Sequence, residues 1–253
     1  MNPFRDNTQA DSPAAGTVLQ NSHPVSVASL APSFPLAFDA PADQILEDLK
    51  KAGFSAVEET SSVLRQNWNL RMKELETNPF LIGSSCPKVA DLVHHNFIPL
   101  TDFLSRLPSP MEQHGRSLRR RYPRARLFFF SPCEAKVEEN WRSGVFDQVF
   151  EFSVLAGMIT APRRESPALR REVHTLEEPP VEARLAVLNS PVSGENECRW
   201  FLQEALSPEF RILNPGYHDL ALCRGGCAGR TAEQFPSRDP AEVKLLRAWD
   251  IDT

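Results

Sequence analysis

Leu127-Phe-Phe-Phe-Ser-Pro-Cys-Glu-Ala-Lys136 decides how this chain is read. The apolar run predicts a strand over residues 125–130. Three consecutive phenylalanines predict burial on both of its faces, as in a parallel sheet covered on each side. The turn that follows carries Cys133, and residues 134–142 read as a helix closed near Gly144. The same strand, thiol-bearing turn and helix start recur in Phe80-Leu-Ile-Gly-Ser-Ser-Cys86-Pro87, ahead of a helix over residues 87–96 with proline in its first turn. Asp219-Leu-Ala-Leu-Cys223 again puts a thiol at the carboxyl end of a strand, here residues 220–222.

Working outward, strands and helices alternate. Further strands are expected at residues 25–30, 55–59, 184–188 and 210–213. Further helices are expected at 41–51 (ended by Gly53), 61–77, 111–121 and 195–206. Alternation of this kind predicts an α/β fold with parallel sheets. Residues 1–22, rich in Ser, Ala, Pro, Asn and Gln, read as a disordered tail. Glu177-Glu-Pro-Pro180 reads as a linker, so residues 23–253 divide into lobes at about 23–165 and 182–253.

The chain has 253 residues and a net charge of -5, which gives no general attraction to nucleic acid or anionic membranes. No stretch approaches the ~18 apolar residues of a membrane span. The N-terminal Met1-Asn-Pro-Phe-Arg-Asp-Asn lacks an apolar signal core, so a cytoplasmic location is expected. In that compartment the 5 cysteines read as ligands or core residues rather than disulfides.

Four thiols are placed in a way that suggests metal. Cys86, Cys133 and Cys223 each follow a strand, where open α/β sheets bind ligands. Helix starts at such turns offer unpaired N–H groups that favour thiolate and anions. Cys223-Arg-Gly-Gly-Cys227 adds a fourth thiol, and its glycines allow backbone to approach a bulky inorganic core. This pattern reads as an iron–sulfur site. Zinc would more often show C-x-x-C pairs or histidine partners. A buried packing role and a nucleophilic Cys86 are the other readings. Cys198 lies mid-helix and reads as packing or surface. Arg116, Arg119, Arg120, Arg121, Arg124 and Arg126 read as a solvated helix end, or as a docking patch for an acidic electron-transfer partner. His114, beside Gly115, is a candidate to approach the cleft.

The chain resembles the cluster-binding domain of [FeFe]-hydrogenases, and in particular the shorter, hydrogenase-like sensory branch. Ser84-Ser-Cys-Pro87 resembles the family's T-S-C-C-P, Ser131-Pro-Cys-Glu-Ala-Lys136 its M-P-C-T-A-K, and Cys223-Arg-Gly-Gly-Cys227 its C-P-G-G-C. The resemblance implies two lobes, each a mainly parallel twisted sheet flanked by helices, with a cluster in the cleft between. It implies that Cys86, Cys133, Cys223 and Cys227 bind a [4Fe–4S] cluster. Cys227 would also bridge to a two-iron subsite carrying CO and cyanide, and Lys136 would contact a cyanide. It implies a ferredoxin-type redox partner, and hydrogenase maturases where the two-iron site is installed. Departures matter too. The proton-relay cysteine is Ser85, a far weaker acid near neutral pH. The methionine of the second motif is Ser131, and no ferredoxin-type cysteine run precedes Cys86. The expected function is therefore cluster binding with a redox or sensory role. A low-activity hydrogenase using Ser85 and Lys136, and a non-catalytic iron–sulfur assembly scaffold, are the alternatives.

Overall fold

The computed structural model describes residues 25–38, 40–159, 192–223 and 226–227. The phenylalanine run forms β4 (Arg126–Ser131), which lies beside β1 (Ser26–Leu30) at the centre of a four-stranded sheet. β2 (Ala56–Glu59) and β5 (Gln148–Glu151) complete the order β2-β1-β4-β5, and every pairing is parallel. Successive residues of a strand face opposite sides, and the phenylalanines show it. Phe128 and Phe130 meet Phe54 edge-on at 5.4 and 6.0 Å, whereas Phe129 packs on Phe146 at 5.3 Å. Both faces of β4 are buried, as the unbroken apolar run predicts.

Helices cover this sheet. α1 (Ala42–Lys51) contributes Ile45 and Leu49 to the core. It stops because Gly53 takes a φ of 108°, which lets Gly53 N–H reach Lys50 O and Phe54 N–H reach Leu49 O. α4 (Pro110–Arg121) starts at Ser109, whose hydroxyl accepts the Glu112 N–H, and buries Met111 and Leu118. α5 (Ala135–Ser143) ends at Gly144, at φ 60°, and α6 (Phe152–Ala156) follows β5 directly.

A second core forms around β3 (Phe80–Ile82), which pairs in parallel with β7 (Gly216–His218). The chain passes through Asp219 into β8 (Leu220–Ala221), which pairs with β6 (Val192–Ser193). Packed here are α3 (Pro87–Asn96), α7 (Glu195–Ala205) and α8 (Pro208–Leu213). Val89, Val93, Leu100, Leu202 and Leu220 share the interior. α2 (Leu64–Thr77), preceded by a 3-10 turn at Thr60–Val63, joins the two halves. Its Asn67 donates to Gln113 of α4, while Trp68, Met72 and Leu75 cover Leu81 and Tyr217.

Residues 80–104 pack into this second core, because β3 takes β7 as its partner. One expectation is corrected. Residues 210–213 are helical, not a strand. Ser207 caps them by accepting the Phe210 N–H at 3.3 Å, Pro208 opens the helix, and Arg211 lies over the Phe103 ring at 4.4 Å. The tail, the linker and the expected strand at 184–188 lie outside the described residues. Among the described residues no helix is long and apolar enough to cross a membrane.

Candidate functional site

The turn from β3 to α3 is tight for a physical reason. Gly83 N–H donates to His218 O at 2.8 Å, and a Cβ on Gly83 would lie 2.5 Å from Asp219 Oδ1 and 3.0 Å from the Tyr217 ring. Ser84 Oγ donates to Leu107 O at 3.2 Å. Cys86 then starts α3: its carbonyl accepts from Val89 and Ala90, and its thiol makes no capping bond. The turn from β4 to α5 is built alike. Cys133 N–H donates to Ser131 Oγ at 3.2 Å, and Lys136 N–H donates to Cys133 O at 3.2 Å.

Both thiols are half-buried. Burial pushes the Cys133 thiol above its ordinary pKa, and the charge of Cys86 adds to this. The Ala135 N–H and the Lys88 ammonium oppose it. The helix start therefore acts on Cys133 as expected, but desolvation outweighs it. Lys88 is held above its usual value by its 3.0 Å bond to Glu134, and then by the Cys133 and Cys223 thiols. Cys86, Cys133 and Cys223, from three separate turns, thus share one neighbourhood. Cys223 is half-buried after β8, and Gly226, at φ 64°, returns its N–H to Cys223 O at 2.9 Å. Cys227 is exposed at the end of this turn. Among the described residues no three His, Cys, Asp or Glu side chains gather closely enough to hold a single metal ion.

Ser85 and Lys136 meet here. Lys136 Nζ donates to Ser85 O at 2.8 Å and to Glu139 Oε2 at 2.6 Å. The ammonium and carboxylate are 13% and 15% exposed, and Ser109 Oγ donates to the other Glu139 oxygen. On the opposite side Arg71 Nη2 donates to Ser85 Oγ at 3.1 Å, and Arg71 Nη1 to Asp219 Oδ2 at 3.0 Å. Arg71, Asp219, Glu139 and Glu134 are site residues that the sequence reading missed. Glu139 alone carried a signal, since three residues from Lys136 puts it on the same helix face.

Other candidates fall elsewhere. Cys198 is fully buried in the second core, its thiol pushed up to about 12 by burial. His114 is fully buried under the first sheet, bonded to Ser29 Oγ at 2.8 Å with Glu58 3.5 Å away. Burial holds its pKa below the usual value. In the basic run, Arg116 pairs with Glu112, Arg119 with Asp147, and Arg121 with Glu58, while Arg126 lies over the Phe128 ring. Most of these arginines are thus structural.

Known proteins show the same architecture. An [FeFe]-hydrogenase whose H cluster 2Fe subcluster is modified and degraded during oxygen inactivation superposes with a TM-score of 0.59. Identity is 13%, over 93% of this chain and 86% of that one. HydA(deltaEFG), an [FeFe]-hydrogenase that reveals stepwise H-cluster assembly, gives 0.60 at 13% identity over the same shares. A variant of the HydA1 [FeFe]-hydrogenase from Chlamydomonas reinhardtii gives 0.59 at 14%, over 92% of this chain and 86% of that one. At such identities the likeness is one of fold. No curated protein matches the chain. The family described as "Iron only hydrogenase large subunit, C-terminal domain" matches residues 22–187, which include the Cys86 and Cys133 motifs and end before Cys223. Over more than half its length, with two of its thiol motifs inside the matched span, the chain belongs to this iron-only hydrogenase domain family.

Proposed function

We propose that the chain binds an iron–sulfur cluster of hydrogenase type and serves a redox or sensory role in the cytoplasm. Cys86, Cys133, Cys223 and Cys227 would hold a [4Fe–4S] cluster, with Cys227 the candidate bridge to a two-iron subsite. The observation that supports this reading is that Lys88 feels both Cys133 and Cys223, and Cys133 feels Cys86, although their turns are far apart in sequence. A bound cluster would supply one-electron chemistry at a potential set by nearby charge, hydrogen bonds and solvent. The protein's own part is to orient the thiols, to hold Lys136 on the Ser85 carbonyl with its charge paired by Glu139, and to fix Ser85 from both sides. Ser85 Oγ already accepts a bond from a cation. Protonation of that oxygen is thereby disfavoured, which supports binding over rapid proton relay.

An acidic electron-transfer partner fits the arginine end of α4. Arg116, Arg119 and Arg120 line a concavity of about 400 Å³ with Ser143, Gly144 and Val145.

The deciding experiment counts iron and sulfide per chain after anaerobic co-expression with hydrogenase maturases. About four of each would mean a lone cubane; about six iron with four sulfide would mean the full site. Cys223→Ala should abolish incorporation, and unchanged iron in that variant would refute the ligand assignment. Hydrogen evolution that rises on Ser85→Cys would favour the low-activity hydrogenase instead.

A further inference from the structure

Arg71 is the most deeply placed cation beside the thiol-bearing turns. It is 7% exposed, its guanidinium lies 4.4 Å over the Tyr217 ring, and its Nε is buried without a partner. It reaches the turn before Cys86 from a different helix, and no family motif quoted above contains it.

Its hydrogen bonds have a fixed sense. A guanidinium has donors only and stays charged. Ser85 Oγ must therefore accept from Arg71 Nη2, and the serine's own hydrogen must point elsewhere. The Ser85 carbonyl is taken by Lys136. Ser85 is thus gripped by a cation at each polar end, with its O–H directed away from Arg71.

The counter-charge is uneven. Asp219, the carboxylate that pairs with Arg71, is 39% exposed, against 9% for the arginine side chain. Water screens the negative end of this pair and not the positive end. Arg71 therefore places a poorly screened positive charge beside the Ser85–Cys86 peptide. Burial opposes the charge on Arg71, and Asp219, Tyr217 and Glu74 together more than restore it, so Arg71 is held above its ordinary pKa.

We propose that Arg71 is a positioning residue of the thiol site: it fixes Ser85 as a hydrogen-bond donor toward the cleft and supplies buried positive charge that favours a reduced, anionic cluster. The inference rests on the cluster-binding reading above. It makes Ser85 a constant donor to the bound group rather than a group that exchanges its proton.

The test measures the cluster's midpoint potential by electron paramagnetic resonance during redox titration, with iron and sulfide counted in each sample. Arg71→Met should keep the cluster and move the midpoint to a more negative value. Asp219→Asn should move it to a more positive one. Ser85→Ala should shift the midpoint in the wild-type background and shift it less in Arg71→Met, because the donor is then no longer held. A purely structural role would not produce shifts of opposite sign. Unchanged midpoints in loaded Arg71→Met, or the same Ser85→Ala shift in both backgrounds, overturn the proposal. Should Arg71→Met fail to hold a cluster, unchanged midpoints in Asp219→Asn and Ser85→Ala overturn it equally. A wild-type chain without iron or sulfide overturns the cluster reading itself.

Discussion

Lys136→Met should destabilise the protein strongly even with nothing in the cleft, and Glu139→Gln should rescue most of the loss. The Nζ lies 2.6 Å from Glu139 Oε2, and the two side chains are 13% and 15% exposed. Removing one member of a buried ion pair costs about 3–5 kcal/mol, because the other charge is left uncompensated. Partial exposure puts this pair near the lower end, about 3 kcal/mol. The lost bond to Ser85 O adds to that, while the Ser109 hydroxyl still serves Glu139. For a chain of this size about 3 kcal/mol lowers Tm by about 6–12 °C. Glu139→Gln alone should cost less, since Lys136 keeps Ser85 O and a neutral acceptor. In the double variant no bare charge remains, so its loss should fall well below the sum of the singles. Thermal unfolding followed by circular dichroism on the metal-free protein closes the cycle. Single losses that add to within about 0.5 kcal/mol would show that the pair is not coupled. The picture of Lys136 as a cation preset by Glu139 would then be wrong.

Gly115→Ala tests the packing behind the site. A Cβ there would lie 2.6 and 2.9 Å from the buried Phe146 ring and would also collide with Val145. Overpacking of about 1–3 kcal/mol should exceed the roughly 1 kcal/mol that alanine gains in a helix, so Tm should fall; a rise would mean the 145–146 turn yields freely. His218 is 1% exposed between Phe80 and Phe201, and burial holds its pKa below the ordinary value. Its neutral form is the folded one, so stability is full above about pH 6.5 and falls as acid is added, by up to about 1.4 kcal/mol per pH unit. His218→Phe keeps the ring stack and should flatten that slope in Tm against pH, whereas an undiminished slope would assign it to another group. Reversing Arg116 and Arg120 to glutamate should slow reduction by an acidic partner at low salt and leave reduction by a small-molecule donor unchanged. Equal rates with the partner would remove the groove as its docking site.

Legibility in the sequence followed how local each signal is. α3 was placed to the residue, because Pro87 opens it and apolar periodicity carries it to Asn96. α1 and α5 were bounded by glycines that do adopt positive φ. The strand error at 210–213 came from a four-residue apolar run, too short for periodicity to decide, although Ser207-Pro208 already signalled a helix start. β5 and β7 escaped notice because each is short and polar in part, and their pairing partners lie far away in sequence. The thiol turns were readable as strand ends that meet helix starts. The groups that hold them were not. Arg71 contacts Asp219 across 148 positions, and only the parallel pairing of β3 with β7 brings that contact about.

That pairing also explains what a cluster would do for the fold. Cys133 leaves the first sheet, while Cys86 and Cys223 leave the second core, so the candidate thiols come from both. The polar links between the helices that follow them are unequal. Lys88–Glu134 is 42% and 56% exposed, and Arg142–Asp91 is 62% and 34% exposed. Exposed pairs of this kind contribute about 0–1 kcal/mol each. Of these links Lys136 alone is buried, and it reaches only a backbone carbonyl across the gap. Among the described residues the two cores are therefore linked by this buried ammonium and by α2, which packs on both halves. Ligation by thiols from both lobes would join the two cores directly, and binding free energy would appear as stability of their arrangement. A change in such a cluster would then act on the contact between the two cores.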